Sequence, residues 1–502
     1  MTARIVSPSE AVARIRDGAT IAITGSGGGL LEPDTILAAL GERFRATGHP
    51  RDLTIIHAQG IGDGATRGLN HIALEGMIRR VIGAHWTWSP AMQTLAAQEK
   101  IEAFALPGGA IQHLAREIGA KRPGLVTKVG LDSFVDPNLH GGAMNARATA
   151  APPIVERITI DGEDYLRYRP FSIDVAIVRG TSTDIRGNID FADEGGELDA
   201  VVLAMAARNC NGQVLAQVRD HVAMHSRPAA AVRLPGSWID AVVVDPGQRW
   251  SHAGEARALP PAASEKISPE RRIIARRAAD EIKAGNLVSF GFGIPDGVAT
   301  VVLERGLLPE LHTTVDHGHH GGDALQGPLF GFVPNGEARI DSPTQFDFYS
   351  GGGIDVAVLG FGECDAQGNV NVSKLGGKII GPGGFIDIAQ NAKAVIFCGT
   401  FETKGLRIEM ASGQLRIVQP GAIPKFVPAV EQVTFSARQA RRAGQQVLYV
   451  TERAVFQLSD QGLILTEIAP GLDIERDIIA RMGFHPILPD GGPALMPSAS
   501  FA

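Results

Sequence analysis

Between Thr314 and Gly322 the chain reads Thr-Val-Asp-His-Gly-His-His-Gly-Gly, which sets the carboxylate of Asp316 beside the imidazoles of His317, His319 and His320. Such a mixture can move protons near neutral pH, because imidazole is the side chain whose charge changes there. The same residue types could ligate a metal. Roles in shaping a pocket or a surface loop are favoured for the histidines, and no metal is expected. Three glycine-rich strings add a second kind of chemistry: Gly25-Ser26-Gly27-Gly28-Gly29, Gly291-Phe292-Gly293-Ile294-Pro295 and Gly381-Pro382-Gly383-Gly384-Phe385. Backbone N–H groups in loops of this kind can stabilise developing negative charge.

The flanking residues say which elements must hold these loops. Ser7 or Ser9 can cap a helix that Gly18 ends, Thr20 to Thr24 is a β-rich run, and Pro33-Asp34 opens another helix after the first glycine loop. The order strand, glycine loop, helix returns in the second half, where a helical stretch ends at Gly285, Asn286 to Phe290 reads as a strand, and a helix follows Pro295. Continuous apolar runs such as Ala200–Ala204, Asp240–Val244, Asp355–Gly360 and Ala394–Gly399 suggest strands covered on both faces. The expected class is α/β.

Length and composition narrow the function. The 502 residues, with 47 Lys and Arg against 54 Asp and Glu, allow two or three domains and carry a net charge of −7. A mildly acidic chain without a basic block is a poor candidate for nucleic acid or an anionic membrane. No apolar stretch approaches the roughly 20 residues that span a bilayer, and no signal peptide is read at the N-terminus. Three scattered cysteines, Cys210, Cys364 and Cys398, argue against a disulfide framework. A cytoplasmic protein is expected. The 61 glycines, about 12% against a usual 7% or so, point to many tight turns and close backbone approaches.

The chain also repeats itself. Ile173–Phe191 aligns without gaps on Ile354–Val372 with seven identities, including the Ile-Asp-Val-Ala opening, Asp184 with Asp365, and Gly187-Asn188 with Gly368-Asn369. A repeat of this length suggests a duplicated α/β domain rather than a solenoid. The Pro-, Gly- and Ala-rich stretch 246–268 reads as a linker. The expected organisation is therefore a first domain over 1–245 and a second over 269–502.

Longer strings carry a family resemblance. Residues 130–149, 168–189 and 206–218 resemble the first half of family I CoA-transferases, and 345–360, 368–393 and 396–406 resemble the second half. The pattern is most similar to the single-chain acetate, propionate and 3-ketoacid type. The resemblance implies two tandem homologous open α/β domains with the active site at their interface, in a homodimer or homotetramer. It implies no permanently bound cofactor, CoA and acyl-CoA as substrates, and a small carboxylic acid as partner. In the family a glutamate attacks the thioester, forms a mixed anhydride and then an enzyme–CoA thioester. Here the matching position is Asp316, one methylene shorter, and His317, His319 and His320 stand where small or apolar residues are usual.

That departure leaves three readings. Asp316 carries the acyl group and CoA as the family's glutamate does; or Asp316 and a neighbouring histidine act as general base in hydrolysis of a thioester or of the C–C bond of a β-keto-acyl-CoA; or the chain only binds CoA. The resemblance further implies oxyanion donors at Gly383, Gly384, Gly27 and Gly28. CoA contacts are implied at Gly291, Phe292, Gly293, Ile294, Pro295, Gly381, Pro382 and Lys404, with Lys374 and Lys378 as further candidates. Gly108 stands where relatives commonly have Gln. With Gly109, Phe134 and Asn145 it is expected to border a remodelled acyl pocket, with packing the default for His85, Trp86 and Trp88.

Overall fold

The computed structural model describes residues 4–252 and 267–501, so residues 253–266 of the expected linker lie outside the described residues. The chain divides into two compact bodies. One contains Met1–Leu259, Asp316–Asp347 and Gly377–Asp387, and the other contains Pro260–Val315, Phe348–Gly376 and Ile388–Ala502. Compact bodies and sequence halves therefore do not coincide: two segments of the second half pack into the first body.

The first body is built on an eight-stranded sheet of β1 (Arg4–Ile5), β2 (Thr20–Ile23), β3 (Leu53–His57), β4 (Ile78–Gly83), β5 (Glu102–Ala105), β6 (Val175–Arg179), β7 (Gln213–Val218) and β8 (Ala241–Val244). Its order is β1-β8-β7-β6-β2-β3-β4-β5, and every pairing is parallel. All five residues of β3 and of β6 are buried, as expected where helices cover both faces. The helix Asp34–Thr47 buries Ile36, Leu37 and Leu40 and ends at Gly48 in the left-handed conformation. Ala200–Ala204, expected as a strand, instead opens the helix Ala200–Asn209. A short apolar run cannot by itself be told from a buried helix turn, and here it lies against the helix Gly108–Gly119.

Residues 246–252, expected in the linker, are folded onto this body. Gln248 bonds to Gly180 O and Glu194, Trp250 packs against Phe332 with ring centroids 4.1 Å apart and planes tilted by 44°, and His252 Nε2 lies 2.9 Å from Glu32 Oε2.

The second body has its own sheet, with β9 (Leu287–Phe290), β10 (His312–Val315), β11 (Val356–Gly360), β12 (Ala394–Cys398), β13 (Gln446–Val450), β14 (Ala454–Ser459), β15 (Gly462–Ile468) and β16 (Ala494–Leu495). These run in the order β10-β9-β11-β12-β13-β14-β15-β16. The pairings are parallel from β10 to β13, and antiparallel at β13–β14 and β14–β15. Its core includes Val288, Val298, Val302, Val358, Ile396, Val450 and Val455. Among the described residues no helix is long and apolar enough to cross a membrane.

Candidate active site

The segment after Val315 turns sharply, and Gly318 is the reason. It has φ +98° and a Cβ there would collide with the carbonyl oxygen of Ile340, so only glycine fits. The turn brings His319–His320 into a two-residue antiparallel ladder with Ala338–Arg339. Ser342 Oγ donates to Asp316 O at 2.7 Å and anchors the start of the turn.

The three histidines then part company. His319 Nε2 donates to Gly195 O at 2.7 Å, and burial pushes its pKa down to about 4. His320 Nε2 lies 2.8 Å from Gln345 Oε1. Only His317 meets Asp316, with Nδ1 2.9 Å from Oδ1. The pair is a short polar contact without hydrogen-bond geometry at Nδ1. The opposite ring nitrogen, Nε2, is 2.8 Å from Ser26 Oγ. Among the described residues no cluster of three His, Cys, Asp or Glu side chains is placed to hold a metal ion.

Asp316 is buried. Burial alone would raise its carboxyl, yet the His317 ring and the Gln59 amide together hold it below the ordinary aspartate value, so it is an anion at neutral pH. Its Oδ2 faces the third glycine loop: a Cβ on Gly384 would stand 2.7 Å from that oxygen. The loop itself is tied down by backbone bonds, from Gly383 N to Ala84 O (2.9 Å), Gly108 N to Gly383 O (2.8 Å) and Trp86 N to Ile380 O (2.8 Å). Gly381, at φ +82°, must be glycine because a Cβ would strike Ala84 O.

These bonds revise the expected donors. The Gly383 N–H is spent on Ala84, and the Gly28 N–H on Gly62 O at 3.3 Å. Gly27 lies under the Trp88 indole, whose atoms fill the space a side chain would need. The reading of Gly108 and Gly109 as a widened pocket meets close packing instead. A Cβ at Gly108 would approach Ala58 O to 2.8 Å, and one at Gly109 would approach the Phe346 ring to 2.7 Å. Asn145 caps the helix Ala146–Thr149, and its amide also donates to Ala96 O and Ile101 O. Phe134 is fully buried core.

Several residues at the site carry no motif. Asp387 accepts from Gly109 N–H at 3.2 Å and from Ala110 N–H, at the start of the helix Gly108–Gly119. Burial, with the negative charge of Asp316 adding to it, pushes its pKa up to about 8. Two carboxyls in one site are thus driven apart, one ionised and one protonated. The His85 ring lies against Gly60, 2.7 Å from where its Cβ would be, and burial brings its pKa down to about 4. The only sequence signal for Asp387 was an acidic residue inside the apolar run Phe385-Ile386-Asp387-Ile388. Gln59 had none.

The remaining candidates, Pro382 apart, belong to the second body. Gly291 N donates to Val358 O at 2.8 Å, and Gly293 precedes the helix Ile294–Glu304, with its N–H on Asp296 Oδ2 at 2.9 Å. Pro295 is buried in that helix, whereas Phe292 is 57% exposed. Lys404 stands in the left-handed region at φ +60°. Pro382 O accepts from Phe385 N in the first body.

Residues 5–245 match the family model described as Coenzyme A transferase. Over 493 residues the chain is 40% identical to the acetate CoA-transferase YdiF of Escherichia coli O157:H7, covering 96% of this chain and 92% of that one. It is 42% identical over 505 residues to the caffeate CoA-transferase of Acetobacterium woodii, covering 97% and 95%. The crystal structure of YdiF as a thioester complex with CoA superposes with a TM-score of 0.93 at 38% identity, over 100% of this chain and 96% of that one.

Proposed function

This chain belongs to the coenzyme A transferase family and moves CoA between an acyl-CoA and a carboxylic acid; from that premise we propose that Asp316 carries the acyl group and then CoA between the two half-reactions. The observation that supports this most is a buried carboxylate kept anionic, with one oxygen 2.9 Å from His317 Nδ1 and the other turned to the Gly384 loop. In the first step Asp316 Oδ2 attacks the thioester carbonyl, the new C–O bond forms as C–S breaks, and CoA leaves as thiolate. The thiolate then attacks the Asp316 carbonyl carbon, releases the acyl carboxylate and leaves an aspartyl–CoA thioester. A second carboxylate reverses both steps.

Each step passes through a tetrahedral oxyanion. Gly384 N–H is the donor this reading assigns to it, since Gly383 N–H is already bonded. Aspartate falls short of glutamate by about one C–C bond, ~1.5 Å, so the loop must bring the thioester closer to the backbone. The second-body loop Gly291–Pro295 and Lys404 are proposed to hold the CoA moiety. Relatives named for CoA transfer lend no support to the hydrolytic or purely binding readings.

Intact-mass analysis after incubation with acyl-CoA tests the assignment. A CoA adduct that hydroxylamine releases, mapped to Asp316 and accompanied by acceptor-dependent exchange, is expected. Free acid formed without an acceptor, carrying 18O from water, would overturn it. So would an Asp316→Glu variant that gains robust transfer when the parent has none.

A further inference from the structure

Ser26 has no part in the chemistry described so far, yet its hydroxyl is the atom His317 Nε2 meets, 2.8 Å away and 291 residues distant in sequence. Both side chains are buried. The imidazole between Ser26 and Asp316 is closely walled. A Cβ on Gly331 would lie 2.8 Å from Cε1 and Nε2, and the Phe330 ring meets the imidazole edge-on at 6.0 Å. The result is a line of three polar groups: Ser26 Oγ, the two ring nitrogens of His317, and Asp316 Oδ1.

In the neutral form, which the proposal requires of His317, an imidazole has one N–H and one lone pair, and the hydrogen bond at one nitrogen decides which nitrogen keeps the proton. An ionised carboxylate only accepts, so contact with Oδ1 is favourable only when Nδ1 carries the proton. A hydroxyl that donates to Nε2 enforces that tautomer. Without it, the other tautomer would turn a lone pair toward a negative oxygen.

We propose that Ser26 is a positioning residue for the nucleophile: it fixes His317 as the Nδ1–H tautomer, which pins Asp316 Oδ1 and leaves Oδ2 as the attacking atom over Gly384. This rests on Asp316 being the nucleophile. The proposal requires the Nδ1 contact, which lacks hydrogen-bond geometry in the free protein, to straighten by a small rotation of the carboxylate as substrate arrives, as catalytic hydrogen bonds commonly tighten then. The arrangement suits a short nucleophile. A glutamate can search with an extra torsion, whereas an aspartate must be held at the right angle, and a misplacement of about 1 Å can cost about 100-fold in rate.

The test is a double-mutant cycle on the full-length enzyme, read as the rate of CoA-adduct formation and as kcat and KM for acyl-CoA. Ser26→Ala should slow adduct formation and kcat by about 10- to 100-fold with KM within about 2-fold, and Ser26→Thr, which keeps the hydroxyl, should restore most of the rate. His317→Asn replaces the ring by an amide that always has an N–H to offer. In that background Ser26→Ala should change the rate by less than about 2-fold, because no tautomer is left to fix. Selective 15N-histidine spectra, assigned with His317→Asn, should show the Nδ1–H tautomer in the parent and its loss in Ser26→Ala. Equal losses from Ser26→Ala in both backgrounds, or an unchanged tautomer, would overturn the proposal. Absence of any Asp316 adduct in the parent would instead strike the assignment of the nucleophile.

Discussion

The repeated segment can be compared bond by bond in its two copies. In the first body Asp174 Oδ2 accepts from Thr20 N–H at 2.8 Å, and in the second Asp355 Oδ2 accepts from Leu287 N–H at the same distance. Asp184 Oδ1 accepts from the N–H groups of Arg186 and Asn188, while Asn188 Nδ2 donates to Oδ2. Asp365 repeats this with Gln367 and Asn369. Asn188 Oδ1 takes the N–H of Gly236, and Asn369 Oδ1 that of Ala437. The loops after the equivalent strands β2 and β9 share none of this sameness. Gly25–Gly29 carries Ser26 to His317, whereas Gly291–Pro295 displays Phe292 and opens a helix capped by Asp296. Side chains that satisfy buried backbone groups are hard to replace. Loop side chains make no such obligatory bonds, and there the copies have specialised.

The largest expected effect falls on the specialised part. Asp316→Asn keeps the shape but removes the nucleophile, and should lower transfer by about 10³-fold or more, measured by acceptor-dependent CoA exchange. Retained activity would move the chemistry elsewhere. The second effect is on stability. Asp387 keeps its proton up to about pH 8 when folded and releases it near 4 when unfolded. The folded state therefore binds the extra proton across that window, and stability falls as pH rises through it, by at most about 1.4 kcal/mol per unit. Urea titrations from pH 5 to 8 should show this slope in the parent and a much flatter one in Asp387→Asn.

The paired turns come next. Asp184→Ala and Asp365→Ala each remove several hydrogen bonds and should each cost about 1–3 kcal/mol, by chemical denaturation, with kcat unchanged. Unequal costs would break the equivalence of the two copies. Losing the Asn145 cap in Asn145→Ala should cost about 1 kcal/mol and leave KM alone. The smallest stability change, within about 0.5 kcal/mol, is expected for the exposed Phe292→Ser. Its readout is a raised KM for acyl-CoA if that loop holds CoA as proposed.

Much of the scaffold is legible in the sequence. The strands at 241–244, 356–360 and 394–398 stand out as apolar runs, because buried parallel strands have no polar face, and those at 20–23 and 287–290 through the order helix, strand, glycine loop. Ala200–Ala204 misled for the same reason, since a buried helix turn is equally apolar. At the site, Asp316 and the Gly384 loop were legible through long family strings. The separate fates of His317, His319 and His320 were not, because the turn at Gly318 sends adjacent side chains to different partners.

By itself the sequence determined the α/β class, the duplication, the family and the residue that stands at the nucleophile's place. All of these reside in residue types and their order along the chain. Tertiary structure alone decided that Asp316 stays anionic while Asp387 keeps its proton, that Gly383 and Gly28 have no N–H to offer, and that Ser26 reaches His317. Those facts depend on burial and on distances between segments hundreds of residues apart, and a one-dimensional pattern does not encode which atoms folding brings within 3 Å of each other.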